Sequence, residues 1–172
     1  YPPTFLLVPR LLSWVAPDFW TFRHVWFVLN ILVVFGAALA VALRLDAATG
    51  TKSVLLTPFV VAGPAIIVSF QMGNVQLAVV ALSMLAMLLF ERRSYAAGGL
   101  VLAYVTAAKL YPGVFVLYLI LRREWRAVAW AAAFGSALVA LSIAVFGWPP
   151  FAAFLEHMPK LMSGEAFPAF RN

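Results

Sequence analysis

Apolar residues occur along the chain in long, nearly continuous runs that are separated by short polar breaks. Runs of about 16 or more residues with few charges are typical of transmembrane helices, which must offer an apolar surface to the surrounding lipid. The pattern predicts four spans, at residues 25–43, 53–70, 75–90 and 127–146. Pro58 and Pro64 lie within the second run and predict a kink or a break there.

The composition excludes a soluble globular domain. Of the 172 residues, 65% are apolar and 10% are charged, whereas soluble domains have roughly 45–50% and about 25%. The net charge of +6 does not indicate nucleic acid, because the basic residues form short clusters between apolar runs rather than a basic face. We therefore predict an all-α protein, a polytopic transmembrane helical bundle whose partner is the lipid bilayer and not nucleic acid.

The run at residues 96–121 decides the predicted topology. Lys109, Tyr111, Pro112 and Gly113 interrupt it, and its halves would be helices of only about 20 and 15 Å, too short for a hydrocarbon core of roughly 30 Å. The run either enters the membrane and returns as a hairpin, or crosses once as a tilted, kinked helix. The positive-inside rule favours the hairpin. The hairpin places these basic residues on one side: Arg44, Lys52, Arg92, Arg93, Arg122, Arg123 and Arg126.

The chain is expected to form one membrane domain, and to be a fragment of a longer protein because it opens on Tyr1 rather than Met. The short run at residues 5–16 fits an interfacial or re-entrant helix better than a span, since Pro9 and Arg10 interrupt it. The predicted segments of this 1–172 domain are an external interfacial segment at 1–24, transmembrane helices at 25–146 with the hairpin at 96–121, and an external loop at 147–172.

Lys109 is the charge that lies within an apolar run, away from its ends. An ammonium group in that position costs a few kcal/mol without an anionic partner. The partner is either a carboxylate on another helix, in a structural ion pair, or a ligand phosphate. Simple snorkelling of the side chain toward the membrane surface is a further alternative. The phosphate interpretation gains support from Pro112, which would begin a half-helix whose free N–H groups attract anions.

The other concentration of polar groups is the break between the second and third spans. Gly73 and Asn74 can supply a turn and a helix cap, which is the structural interpretation. Alternatively, the amides of Gln71, Asn74 and Gln76 bind sugar hydroxyls. The sequence has no cysteine and no nucleotide- or metal-binding motif, so no cofactor and no metal are expected. The external acids and histidine are expected on solvated loops: Asp18, Glu156, His157 and Glu165.

Several short motifs follow one another along the chain, and together they resemble glycosyltransferase family 87. The family consists of polyprenyl-phosphate-mannose-dependent mannosyltransferases with the GT-C membrane fold. The resemblance extends from Tyr1 to about Gly147, and the block between Lys109 and Arg126 is its most specific part. The motifs are Tyr1-Pro2-Pro3, Gly73-Asn74-Val75-Gln76, Glu91-Arg92-Arg93, Ala97-Gly98-Gly99-Leu100, Ala107-Ala108-Lys109-Leu110-Tyr111-Pro112 and Leu121-Arg122-Arg123-Glu124-Trp125-Arg126-Ala127.

The resemblance implies a metal-independent transfer of a hexose, expected to be mannose, from a polyprenyl-phosphate-sugar donor. The acceptor would be a lipid-linked or cell-envelope glycan, and an inverting attack would give an α linkage. The active site would lie on the extracytoplasmic face of a bacterial plasma membrane. Lys109 would bind the donor phosphate. The residues expected to bind sugar or substrate are Tyr1, Gln71, Gly73, Asn74, Gln76 and Tyr111.

Two departures from the family pattern affect these expectations. The family commonly has Gly-Gln-x-Asn where this chain has Gly73-Asn74-Val75-Gln76, which would exchange the roles of the two amides. The catalytic base of GT-C enzymes usually lies in the first external loop, which here would precede Tyr1. The catalytic residue is therefore unknown, and the chain by itself is expected to be incomplete and inactive.

Two alternatives from other classes remain open. A membrane transporter or a lipid-linked sugar flippase segment would also use broken helices and a buried cation. Such proteins typically contain internal repeats, and the sequence shows no second copy of the Lys109 break or of the Gly73 turn. A non-catalytic scaffolding subunit would depend on Lys109 for stability alone.

Overall fold

The computed structural model describes residues 2–163, without the side chains of residues 161 and 162. This part of the chain is all-α, with a short 3-10 helix at Pro3–Leu6 before nine α-helices and no strand, which confirms the predicted fold class. The helices are α1 (Leu7–Val15), α2 (Phe19–Ala42), α3 (Ala47–Val61), α4 (Pro64–Gln71), α5 (Gln76–Glu91), α6 (Tyr95–Ala108), α7 (Gly113–Leu121), α8 (Trp125–Phe146) and α9 (Pro149–Met162).

Within the described residues, two helices, α2 and α8, are long and apolar enough to cross a membrane. The pair α3–α4 is a third candidate, bent by 66°. The bend confirms the break predicted from the prolines, since Gly63 caps α4 and Pro64 opens it. A proline is tolerated at this first helical position because its missing N–H would have no partner there. Four long spans were predicted, and α5 is not one of them, because its 16 residues are about 24 Å long, shorter than a hydrocarbon core of roughly 30 Å.

Three predicted boundaries were wrong. α2 begins at Phe19 rather than near residue 25, because the Asp18 side chain accepts the Thr21 N–H at 2.9 Å and caps the helix. α3 begins at Ala47, within a segment expected to be a turn, because Asp46 caps it in the same way. The tail predicted as a loop contains α9, which starts at Pro149. The rest of that tail lies outside the described residues.

Small residues let the central helix α6 approach its two neighbours closely. A Cβ added to Gly99 would lie 2.6 Å from Cβ of Trp130 on α8, and one on Gly98 would lie 2.7 Å from the ring of Phe90 on α5. Close contact through small residues is the usual way in which helices associate where lipid replaces water. Leu102 and Val105 of α6 are fully buried between the same neighbours. The core of the bundle therefore lies along α5, α6 and α8.

The helices run between two ends of the bundle that differ in composition. The break end holds the start of α2 and the interruptions at residues 72–75 and 109–112. The charged end holds Arg44 and the arginine-containing turns at residues 92–94 and 122–124. An ion pair joins Arg44 Nη1 to Glu91 Oε2 at 3.7 Å across the charged end.

α7 leads the chain from the break end back toward the charged end. Gly113, its first residue, lies beside Thr106 near the end of α6, where an added Cβ would be 3.6 Å from the Thr106 methyl. Near the other end of α7, Tyr118 and Leu119 line a cavity together with Tyr95, the first residue of α6. The two ends of the interrupted run at residues 96–121 thus lie close together. The position of this helical hairpin in a bilayer stays a prediction.

Candidate functional site

The break between α4 and α5 is a tight turn that Gly73 and Asn74 form. Gly73 has a φ of 67°, a left-handed conformation that glycine adopts without the steric cost of a Cβ. Asn74 Oδ1 accepts the N–H of Gln76 at 3.0 Å, so the side chain satisfies a free donor at the start of α5. The predicted turn is confirmed, whereas the N-cap position of α5 is Val75, so Asn74 lies one residue before the predicted cap. The role of Gly73 and Asn74 in sugar binding stays a prediction.

Two side chains of α2 hold this turn through its backbone carbonyl groups. Arg23 Nη2 donates to the Gln71 carbonyl oxygen at 3.1 Å, and Trp26 Nε1 donates to that of Gly73 at 3.4 Å. Neither α2 residue was predicted from the sequence to belong to the site. The sequence does contain a signal for them. Arg23, Trp26 and Asn30 are spaced by three and four residues, so they share one face of a helix. The break is therefore braced by the start of α2.

The break between α6 and α7 separates two helices that could not be continuous. α6 ends at Ala108, and Lys109 has an extended backbone with φ of −143° and ψ of 134°. Pro112 precedes the first residue of α7, and a proline disfavours helical backbone in the residue before it. The Lys109 side chain is half-buried, and Tyr111 is 44% exposed. The predicted interruption is thus confirmed at the residues that were expected to cause it.

A side-chain hydrogen bond joins the two breaks. Gln76 Nε2 donates to the Tyr111 hydroxyl at 3.2 Å, although the two residues are 35 positions apart. The structure therefore brings together two of the predicted substrate-binding residues, and Lys109 lies two positions from one of them. Gln71 and Gly73 face α2 through their backbone carbonyls. Tyr1, the remaining predicted residue, lies outside the described residues.

A cavity of about 660 Å³ opens beside the braced turn, within the size range of small-molecule sites. Its walls are mostly aromatic, and its charged or titratable groups are Arg23 and His24. Phe27 and Phe70 meet edge to face at 5.9 Å, which fixes the wall between α2 and α4. The lining residues are Phe19, Phe22, Arg23, His24, Trp26, Phe27, Phe70, Gln71, Met72 and Gly73.

A narrower cavity of about 230 Å³ lies deeper, between α2, α5 and α6. It is almost wholly apolar, and Phe5, Val79 and Ala108 contribute to its wall. Asn30 is the exception: its amide nitrogen donates to the Trp26 carbonyl at 2.8 Å, while its Oδ1 is buried without a partner among the described residues. This polar atom lies one helical turn from the residue that braces Gly73.

Of the acids and histidine that were expected on solvated loops, Glu156 and His157 lie on α9 instead, and Asp18 caps α2. Hydrogen bonds from the side chain and backbone N–H of Thr21 hold the pKa of the Asp18 carboxyl below its usual range, which fits a helix cap. Glu156 is exposed on α9, where His157 Nδ1 lies 2.9 Å from the Ala153 carbonyl oxygen. Glu165 lies outside the described residues. In the described part of the chain, no group of three or more His, Asp or Glu could hold a metal ion.

The apolar helices and broken segments define an integral membrane protein. The profile of glycosyltransferase family 87 matches residues 1–172, the whole chain. The chain belongs to glycosyltransferase family 87, which confirms the resemblance found in the motifs and implies a membrane glycosyltransferase. No curated protein matches the chain. No solved structure matches it either.

Proposed function

We propose that the protein transfers a hexose from a polyprenyl-phosphate-sugar donor to a hydroxyl of a lipid-linked or cell-envelope glycan, and that this hexose is mannose. The acceptor oxygen forms a bond to the anomeric carbon, and the bond from that carbon to the phosphate oxygen breaks. The electron pair leaves with the polyprenyl phosphate, and the acceptor proton passes to a base. We assign the base to none of the residues described above. The family supports a glycosyltransferase, and it favours this class over a transporter or flippase.

The bond between Gln76 and Tyr111 is the observation that carries the proposal. An amide and a phenol present both donors and acceptors, and sugar hydroxyl groups need both. Both side chains are exposed, so that a sugar could reach them. The bond fixes their relative positions before any substrate binds, which lowers the entropy lost on binding. Gln71 and Asn74 would add further amide contacts at the same end of the bundle.

Lys109 is proposed to hold the donor phosphate. Its ammonium group would offset the negative charge that develops on the leaving phosphate as the glycosidic bond breaks. Such stabilisation is strong where water is excluded, and the half-buried position of Lys109 suits that role. The sugar attached to the phosphate would then extend toward Tyr111, two residues away.

The proposed orientation places the break end on the extracytoplasmic face of a bacterial plasma membrane. Two observations support it. Basic residues concentrate at the opposite, charged end, as the positive-inside rule requires of a cytoplasmic face. Tyr95 and Arg122, which flank the run from α6 to α7, line one cavity at that end, as a returning hairpin requires.

The test is transfer of labelled mannose from polyprenyl-phosphate-mannose by membranes that contain the native protein. Lys109→Ala should lower the rate by about 100-fold or more, the size of effect seen when a charge-stabilising group is removed. Lys109→Arg should retain part of the activity, because it keeps the positive charge. Lys160→Ala is the matched control, since this exposed lysine of α9 should tolerate the same change with no loss.

Two results would contradict the proposal. If Lys109→Ala transferred mannose at the native rate, the lysine would not hold the donor phosphate. If the native protein transferred another sugar from its polyprenyl phosphate but not mannose, the donor sugar would be wrong while the class of reaction remained. A control enzyme active in the same membranes ensures that the donor reaches the bilayer.

A further inference from the structure

The turns from α5 to α6 and from α7 to α8 have the same backbone geometry. Arg93 and Arg123 both have a φ of 58°, in the left-handed region that residues other than glycine and asparagine rarely adopt. In the first turn the Ser94 N–H donates to the Leu89 carbonyl at 2.9 Å, and in the second the Glu124 N–H donates to the Leu119 carbonyl at 2.9 Å. Both are Schellman turns that end one helix and begin the next.

A third turn of this kind occurs at the break end, and it contains the expected residue. Gly73 has a φ of 67° there, and the Asn74 N–H donates to the Ser69 carbonyl at 2.9 Å. Glycine occupies this conformation without strain, whereas arginine does not. Each of the two turns at the charged end thus has an arginine with a strained backbone at the position that glycine occupies in the Gly73 turn. Strain of this kind indicates a role for the side chain.

The two arginine turns converge on one cavity of about 390 Å³. From the first turn Arg93 and Tyr95 line it, so the strained arginine of that turn itself reaches the cavity. From the second turn Arg122 and Glu124, the two neighbours of the strained Arg123, line it. The guanidinium of Arg122 lies over the ring of Tyr118, 5.9 Å from its centroid, which restricts its position. Trp125 follows the second turn and is 61% exposed, as is common for an aromatic residue at a membrane interface.

We propose that these two turns form a binding site for the phosphodiester headgroup of an anionic glycerophospholipid. The cavity is lined by two arginines, Arg93 and Arg122, and by two glutamates, Glu91 and Glu124. Glu91 is paired with Arg44 at 3.7 Å, which leaves one carboxylate to oppose the two guanidinium groups. Basic side chains between helices at a membrane surface are typical of sites for such headgroups. The inference is independent of the proposed function, because it concerns the opposite end of the bundle.

The structure allows a test that separates lipid binding from folding. The double variant Arg93→Gly/Arg122→Gln removes both guanidinium groups that line the cavity. Its glycine also relieves the backbone strain at residue 93, so the fold should be retained. The control Arg10→Gln/Lys160→Gln removes two exposed positive charges outside the charged end. Phosphatidylglycerol is titrated into each purified full-length protein in neutral detergent, and bound lipid is counted by native mass spectrometry, with phosphatidylcholine as the uncharged comparison.

The Arg93→Gly/Arg122→Gln variant should bind phosphatidylglycerol about tenfold more weakly than the native protein, while the control binds it normally. Phosphatidylcholine binding should not distinguish the three proteins, and inorganic phosphate should not displace the lipid. Equal binding by the native protein and this double variant would overturn the proposal, as would an equal loss in the control, which would indicate general charge attraction. Displacement by inorganic phosphate at low concentration would identify free phosphate as the ligand and also overturn it.

Discussion

Gln76 and Tyr111 connect the two interruptions of the helical bundle through one side-chain hydrogen bond of 3.2 Å. Gln76 is the first residue of α5, and Tyr111 lies between α6 and α7. Non-helical backbone is tolerated at membrane depth only where protein or a polar cavity surrounds it. The bond therefore couples two segments whose positions would otherwise be set independently. A change at one break should be felt at the other.

Replacing Tyr111 with phenylalanine tests this coupling. The change removes the hydroxyl and keeps the ring, so mannose transfer should fall about fivefold to tenfold, while the free energy of unfolding changes by no more than about 1 kcal/mol. Combined with Gln76→Leu, the variant completes a double-mutant cycle. If the bond matters for transfer, the second change should have little further effect after the first. Fully multiplicative losses would show that the two residues act separately.

Gly73→Ala should destabilise the protein through backbone strain alone. Apart from the glycine and its two chain neighbours, no atom of the described residues lies within 4 Å of the position that the new Cβ would take. The left-handed conformation alone should therefore cost about 1–2 kcal/mol. Gly36→Ala is the control, because that helical glycine of α2 also has open space around it and a normal φ. It should be neutral or stabilise by up to about 1 kcal/mol. Thermal unfolding in detergent measures both, and equal effects would contradict the strain argument.

Local rules made three breaks predictable from the sequence, between α3 and α4, between α4 and α5, and between α6 and α7. Pro64 and Pro112 disfavour helical backbone in the residues before them, and Gly73 with Asn74 forms a turn from its own side chains. The segment after residue 147 was predicted to be a loop, and that prediction was wrong for α9, whose first residue is Pro149. A proline in the first turn of a helix is compatible with it, and α9 begins there.

The sequence could not supply the contacts between distant segments. Arg23 and Trp26 brace the Gly73 turn from residues 47 or 48 positions away, and nothing local to α2 specifies which carbonyl groups they meet. The same is true of the bond between Gln76 and Tyr111. Their identities as candidate residues came from polarity and from the family motifs. Their pairing depends on how α2, α5 and α6 pack, which only the structure shows.

The Asp18 cap should make the start of α2 sensitive to acid. Its pKa is lowered in the folded protein from a usual value of 3.8. Because the carboxyl of Asp18 has a lower pKa in the folded protein than in the unfolded chain, its ionised form stabilises the folded protein. This stabilisation is fully present above the pKa of the unfolded chain, and it is lost as the pH falls through the pKa of the folded protein. Hydrogen exchange should show the protection of the Thr21 amide decreasing below about pH 4. Asp18→Asn keeps a capping oxygen and should remove the pH dependence, and a variant with the native pH profile would contradict this assignment.

Gly99→Ala should be among the most damaging single changes in the core. The added Cβ would lie 2.6 Å from Trp130 Cβ and 2.8 Å from the Trp130 carbonyl carbon. These neighbours are a first side-chain atom and backbone, which cannot move without displacing α8 from α6, so we expect a loss of about 1–3 kcal/mol in the free energy of unfolding. Gly135→Ala on α8 is the matched control, since its added Cβ would meet no other helix or side chain within 4 Å in the part of the protein that the structure describes. It should be neutral or slightly stabilising in the same denaturation experiment. Equal stability of the two variants would mean that α6 and α8 can separate freely, and that the close glycine contact does not hold the bundle together.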